Sequence, residues 1–172
     1  MGTVIDRDQL AALGQELRRE GKQVVFTNGH FDLLHVGHLR YLQGARRLGD
    51  ILVVGVNDDA MTTARKGAGR PILPEAERAE LLAGLECVDY VAIFPEPTAE
   101  RCVDLLRPDV YVKGGDYGPG GADLPEARIV AKYGGESRFE QGAEWAKKFA
   151  VVTAAALDRP VVRVDVGSFV VG

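Results

Sequence analysis

"FTNGHFDLLHVGH", residues 26–38, places all three histidines of the chain within nine positions, directly after the hydrophobic run "VVFT" (24–27). That run is too short and too β-branched for a helix and reads as a buried strand. Beyond the histidines, Leu39, Leu42, Ala45 and Leu48 recur at helical spacing up to Gly49, and "ILVVGV" (51–56) is again a short β-branched run, apolar throughout as in strands covered on both faces. Strand, loop, helix, strand is the unit from which a parallel sheet is wound.

The pattern extends in both directions. Upstream, Leu10, Leu13 and Leu17 share one helical face, and Gly21 can supply the left-handed residue that ends such a helix. Downstream, a short helix and a basic Gly/Pro loop precede a helix opened by Pro74 and carrying Leu81, Leu82 and Leu85. "DYVAIF" (89–94) and "DVYVK" (109–113) read as further strands, separated by a helix that Thr98 is positioned to cap. The fold class predicted is α/β, a doubly wound parallel sheet.

Composition bounds what such a sheet serves. With 172 residues, 46% of them hydrophobic, the chain suits one globular domain over 1–172. A formal net charge of -4 argues against a nucleic-acid partner while permitting a small anion in a local basic pocket. The opening "MGTVIDRDQLAALG" has no basic leader before an apolar stretch, and no run approaches the roughly 18–20 apolar residues that span a bilayer, so a soluble cytoplasmic chain without membrane contact is expected. Cys87 and Cys102 form neither a disulfide framework nor a metal knuckle and are expected to be reduced.

Ligands of doubly wound sheets settle at the carboxyl ends of the strands. Three loops lie there: 27–38, 57–70 and 113–121. In the first, Gly29 lets backbone approach a ligand, and Gly37 stands where the next helix begins, so free amides are expected to face a phosphate. His35 and His38, three apart, project from one face. Zinc would need a third ligand, for which only His30 or Asp32 is at hand, and Gly37 suits a phosphate better than a metal. His30 by itself reads as a core histidine satisfied by a carbonyl. The G-x-G-x-x-G fingerprint and the P-loop pattern are both absent after the first run, so a different phosphate grip is in use. In the second loop, "ARKGAGRP" (64–71), Arg65, Lys66 and Arg70 stand between glycines, able to close over an anion, and Arg70 is equally suited to a structural ion pair. Asn57 and Asp58 are candidate sugar contacts. In the third, "KGGDYGPGG" (113–121), Lys113, Gly114 and Asp116 are candidate nucleotide contacts, through charge, close backbone approach and hydrogen-bond acceptance.

"HVGH" (35–38) is the H-x-G-H signature of a nucleotidyltransferase superfamily that includes cytidylyltransferases. With "FTNGHFDLLHVGHLRYLQGARRLGDILVVGVNDDA" (26–60), "KGAGRPILPEAERAELLAGLECVDYVAIF" (66–94) and "RPDVYVKGGDY" (107–117), the chain resembles the adenylyltransferase domain of bacterial ADP-heptose synthases from about Gln23 to Gly135. The resemblance implies a Rossmann-like nucleotidyltransferase fold, a homodimer, and transfer of AMP from ATP, with Mg²⁺, to a sugar 1-phosphate such as D-glycero-D-manno-heptose 1-phosphate. It implies that His35 and His38 contact the triphosphate and stabilise the transition state, that Lys66 closes on the same anion, and that Thr27, Asn28, Gly29, Phe31, Asp32 and Gly37 belong to the nucleotide cradle, Asp32 as loop support or beside the metal's water shell. No residue is assigned to the metal itself. The tail, about 136–172, departs from the pattern. Family members carry a Ser/Thr cluster there, whereas the only serines here are Ser137 and Ser168, and "VVRVDV" (161–166) and "SFVV" (168–171) read as β segments. That departure keeps open a nucleotide-binding sensor without transferase activity, and a transferase of other base or acceptor preference.

Overall fold

The computed structural model describes residues 1–114 and 124–140. Six strands form one parallel sheet: β1 (Thr3–Asp6), β2 (Val24–Gly29), β3 (Ile51–Asn57), β4 (Tyr90–Phe94), β5 (Val110–Gly114) and β6 (Glu136–Glu140), in the order β1-β4-β3-β2-β5-β6. The helices between them are α1 (Leu10–Arg19), α2 (Val36–Arg46), α3 (Asp59–Lys66), α4 (Glu75–Ala83), α5 (Glu100–Leu106) and α6 (Pro125–Lys132).

Alternation along each strand sorts the core into two layers. Val25, Leu52, Val54, Val56, Val91 and Val112 face α2 and α4, where Leu42, Ala45, Ala79 and Leu82 meet them. Val24, Phe26, Val53, Ala92 and Tyr111 face the other way, onto Leu10 and Leu17 of α1, Cys102, Val103 and Leu106 of α5, and Val130 of α6. Both faces are covered, which is why β2 and β3 are apolar without alternating. Gly21, at φ +69°, ends the first helix as its position predicted.

The winding fixes where a ligand goes. From β2 the chain steps outward through β3 to β4, then crosses back to place β5 on the far side of β2. The direction reverses between β2 and β5, and the crevice over their carboxyl ends is the expected binding position. At the opposite end of the sheet, aspartate side chains close strand starts: Asp50 accepts from the Gln23 amide at 2.8 Å, Asp109 from Val24 and Asp89 from Leu52, both at 2.7 Å. That end is occupied by structural hydrogen bonds.

Several expectations are corrected. Two edge strands, β1 and β6, were not legible, and Thr98 does not cap α5. Ala99 holds the cap position, its amide donates to Glu126 Oε1 at 2.9 Å from α6, and the Thr98 hydroxyl donates to Glu100 instead. Leu81 points outward at 48% exposure while Leu82 takes the core position. Residues 161–166 and 168–171, expected as β segments, lie outside the described residues, as does Asp116. Among the described residues no helix is long and apolar enough to cross a membrane.

Candidate active site

The loop after β2 is held from several sides before any ligand is considered. Phe31 adopts φ +46°, a left-handed conformation that costs a non-glycine residue on the order of 1 kcal/mol, and spends it turning its ring into the core, 5.3 Å from the His38 ring. Asp32 binds the second loop: its Oδ1 accepts from the Ile72 amide at 2.7 Å and its Oδ2 pairs with Arg70. Arg70 thus makes the structural ion pair that was one of its two readings, and Asp32 holds the two loops together.

His35 is not on the first helical turn but is the N-cap of α2, with φ −143° and ψ 172°. Its Nδ1 accepts from the Gly37 amide at 3.0 Å, so this amide, expected to face an anion, is spent on the imidazole. An Nδ1 that accepts leaves the proton of the neutral ring on Nε2. Burial, then the charge of Lys66, pushes the pKa of His35 below its ordinary value, which holds the ring in that neutral state. Nε2 is buried and has no hydrogen-bond partner among the described residues. A buried donor left unmet costs about 1–3 kcal/mol, and a ligand oxygen would recover it. The His38 ring stacks on His35 with centroids 3.9 Å apart and planes 25° from parallel, so the two side chains lie together as their spacing predicted, although His35 precedes the helix.

Cations converge on this loop. His30 is buried, its Nδ1 bonded to the Thr62 hydroxyl at 2.9 Å rather than to a carbonyl. Its pKa falls to about 3, first through burial and then through Lys66, Arg78, Lys113 and Arg65. Four positive side chains thus act on one point inside a protein of net charge -4. Lys66, the last residue of α3, is pushed down to about 8 by burial, against the pull of Asp32 and helped by Arg70 and Arg78. Lys113 is pushed to about 8, again chiefly by burial, with Glu126 opposing. An anion beside either lysine would raise its pKa again.

The remaining predicted residues divide. Asn28, near the end of β2, receives hydrogen bonds on Oδ1 from Tyr111 at 2.9 Å and from Lys113 Nζ at 3.1 Å. Gly29 and Gly114 end β2 and β5 beside it. Thr27 is fully buried and hydrogen-bonded to Tyr41 at 2.6 Å; because Tyr41 donates to the Val112 carbonyl at 3.0 Å, Thr27 must be the donor. It ties α2 to the sheet from beneath the site. Asp58 caps α3, accepting from Met61 at 2.7 Å, and Asn57 is buried with Nδ2 toward the Glu96 carbonyl at 3.4 Å. Thr27, Asn57 and Asp58 each make a hydrogen bond within the fold.

Sequence reading missed Arg78. Its guanidinium is fully buried beneath the site, with Nε on the Leu73 carbonyl at 3.0 Å, Nη1 on the carbonyls of His30 and of Asn57, the latter at 2.9 Å, and Nη2 on Asp59 at 2.6 Å. One side chain thus joins the loops after β2 and β3 to the start of α3 and the segment before α4. Among the described residues no three His, Cys, Asp or Glu side chains are grouped to hold a metal ion.

The chain is 54% identical over 129 residues to the protein named bifunctional protein HldE from Syntrophotalea carbinolica, and 54% identical over 132 residues to the one from Streptomyces coelicolor. These alignments cover 75% and 77% of this chain but 26% and 28% of those proteins, so it spans about a quarter of their length. A crystal structure described as a lipopolysaccharide core biosynthesis protein, from Thermoplasma volcanium, superposes with a TM-score of 0.58 at 33% identity, covering 70% of this chain and 98% of that one. The pantoate-beta-alanine ligase of Francisella tularensis shares the fold at a TM-score of 0.58 and 11% identity, over 82% of this chain and 67% of that one. The cytidylyltransferase-like family model matches residues 26–154, a span that starts at the strand before the histidine loop and takes in every site residue described above; the chain belongs to the cytidylyltransferase-like family.

Proposed function

We propose that the chain is a nucleotidyltransferase that moves AMP from ATP to a sugar 1-phosphate, D-glycero-D-manno-heptose 1-phosphate being the acceptor its resemblance favours, and releases pyrophosphate. The observation that carries this reading is the buried Nε2 donor of His35, held at the start of α2 in the field of Lys66 and without an acceptor among the described residues.

The chemistry asks for little else. An oxygen of the sugar 1-phosphate, already ionised, forms a bond to the α-phosphorus of ATP while the bond from that phosphorus to the bridging oxygen breaks and pyrophosphate departs with the electron pair. No proton has to be removed from the nucleophile, so no general base is required. Positioning and stabilisation of charge on the transferring group remain. His35 serves through Nε2–H, His38 is stacked against it, and Lys66 and Lys113 supply charge. Mg²⁺ arrives as part of the nucleotide substrate, on its phosphate oxygens. A homodimer is the expected assembly, which light scattering tests.

The decisive experiment incubates the chain with Mg²⁺, each of the four nucleoside triphosphates and a panel of sugar 1-phosphates, and identifies products by mass. ADP-heptose with pyrophosphate is the expected result. CTP outrunning ATP would replace the adenylyl assignment, and binding of ATP without pyrophosphate from any pairing would make the chain a sensor.

A further inference from the structure

We infer that Tyr111 is a positioning residue for ATP binding, acting through Asn28, whose amide it orients so that only N–H donors are offered to phosphoryl oxygens. This rests on the nucleotide reading proposed above and adds to it a residue two positions before the "KGGD" stretch.

A primary amide has two dissimilar ends, one accepting and one donating. Which end of Asn28 faces inward is decided by its neighbours. Lys113 Nζ lies 3.1 Å from the side-chain oxygen and 3.2 Å from the backbone oxygen of the same asparagine. An ammonium group can only donate, so the atom beside it has to be the oxygen. The Tyr111 hydroxyl donates to the same oxygen at 2.9 Å. With its oxygen claimed twice, Asn28 turns its NH₂ away from both.

Burial makes the arrangement stiff. Tyr111 is fully buried, its ring stacked 6.2 Å from Phe26, and Lys113 is 5% exposed. Opposite Asn28 in the register stands Gly55, where a Cβ would come within 3.2 Å of Asn28 Cβ and 3.0 Å of Phe26. The glycine leaves the asparagine room to sit low against the sheet while its half-buried side chain remains reachable from the loop above. Asn28 precedes Gly29 at the head of the histidine loop, bonded to Lys113 and two residues before His30, on which both Lys66 and Lys113 act. In that setting an acceptor-rich anion is the group that two fixed N–H donors suit. A carboxylate at the same position would repel it.

Tyr111 and Asn28 are tested together in a double-mutant cycle, with affinity for Mg-ATP read by calorimetry and pyrophosphate release read in parallel. Tyr111→Phe removes one of two restraints, keeps the ring, and is expected to weaken ATP binding about three- to tenfold. Asn28→Asp, which cannot donate, is expected to weaken it at least 100-fold, and Asn28→Ala about tenfold. In the Asn28→Ala background, Tyr111→Phe is expected to change affinity less than twofold, because the hydroxyl no longer has anything to orient. A merely structural tyrosine would cost the same in both backgrounds, and that result, or an unchanged affinity for Tyr111→Phe alone, overturns the inference while leaving the nucleotidyltransferase reading intact. A wild-type chain that does not bind ATP overturns both.

Discussion

Replacing Arg78 by alanine should unfasten the site from below. Three of its four hydrogen bonds end on backbone carbonyls, of Leu73, His30 and Asn57, and the fourth on Asp59, whose side chain is 43% exposed and so contributes least. Hydrogen bonds from a charged donor are worth about 1.5–3 kcal/mol each, yet the guanidinium's own desolvation offsets much of that, so removal of one side of a buried charged network typically costs about 3–5 kcal/mol. In a chain of this size that lowers the melting midpoint by roughly 10 °C. Below its midpoint the variant should still bind ATP poorly and turn over on the order of 100-fold more slowly, because the loops bearing His30 and Asn57 lose their common tie. Calorimetric melting and pyrophosphate release measure the two effects. Arg78→Lys, with one donor centre in place of a planar fork, should recover less than half of either. A midpoint within about 2 °C of wild type, or full turnover in Arg78→Ala, would show that the clamp holds nothing.

Further expectations follow from the same geometry. His35→Asn keeps a good helix cap but removes Nε2–H, so the melting midpoint should hold while turnover falls about 10²- to 10³-fold; equal losses in both would contradict the division of labour between the two ring nitrogens. Lys66 and Lys113 each titrate near pH 8 in the ligand-free chain, and a polyanion raises both, so affinity for ATP should fall as pH rises above about 8, with proton uptake on binding in calorimetry. For folding the sign is opposite: both lysines sit below their ordinary 10.5, the unfolded chain binds more protons between about pH 8 and 10, and their contribution to stability increases across that window. Asp58→Ala should cost about 1 kcal/mol in urea denaturation through loss of the α3 cap, and Asp58→Asn much less.

The parts of this molecule that were legible beforehand share one property: their burial leaves a regular apolar pattern in the chain, continuous in the covered strands and periodic in the helices. β2 and β3 are apolar because helices cover both faces, and that leaves a continuous run; α2 repeats its leucines because one stripe faces the sheet. β1 and β6 carry "TVID" and "ESRFE" on the two edges of the sheet, with Thr3, Asp6, Glu136 and Arg138 exposed, and nothing in four or five such residues separates a strand from a loop. Within the site, the histidine pair was legible because three-residue spacing brings two side chains to one face, while the stacking of their rings was not. Arg78 was hidden inside "EAERAE", where an arginine reads as part of a solvated face, and only the convergence of loops separated by 48 and 21 residues reveals its work. The pairing of Asn28 with Tyr111 and Lys113 spans 83 and 85 residues and exists only because β5 is laid beside β2.

The cap on α2 has a further consequence. An imidazole whose lone pair is already engaged by the backbone has its tautomer chosen during folding, so no proton needs rearranging when a substrate arrives. The same economy ties two fates together. Acid that protonates Nδ1 converts an acceptor into a donor facing another donor, and the beginning of the helix and the readiness of the donor are then lost in a single event, at a pH below that of an ordinary histidine.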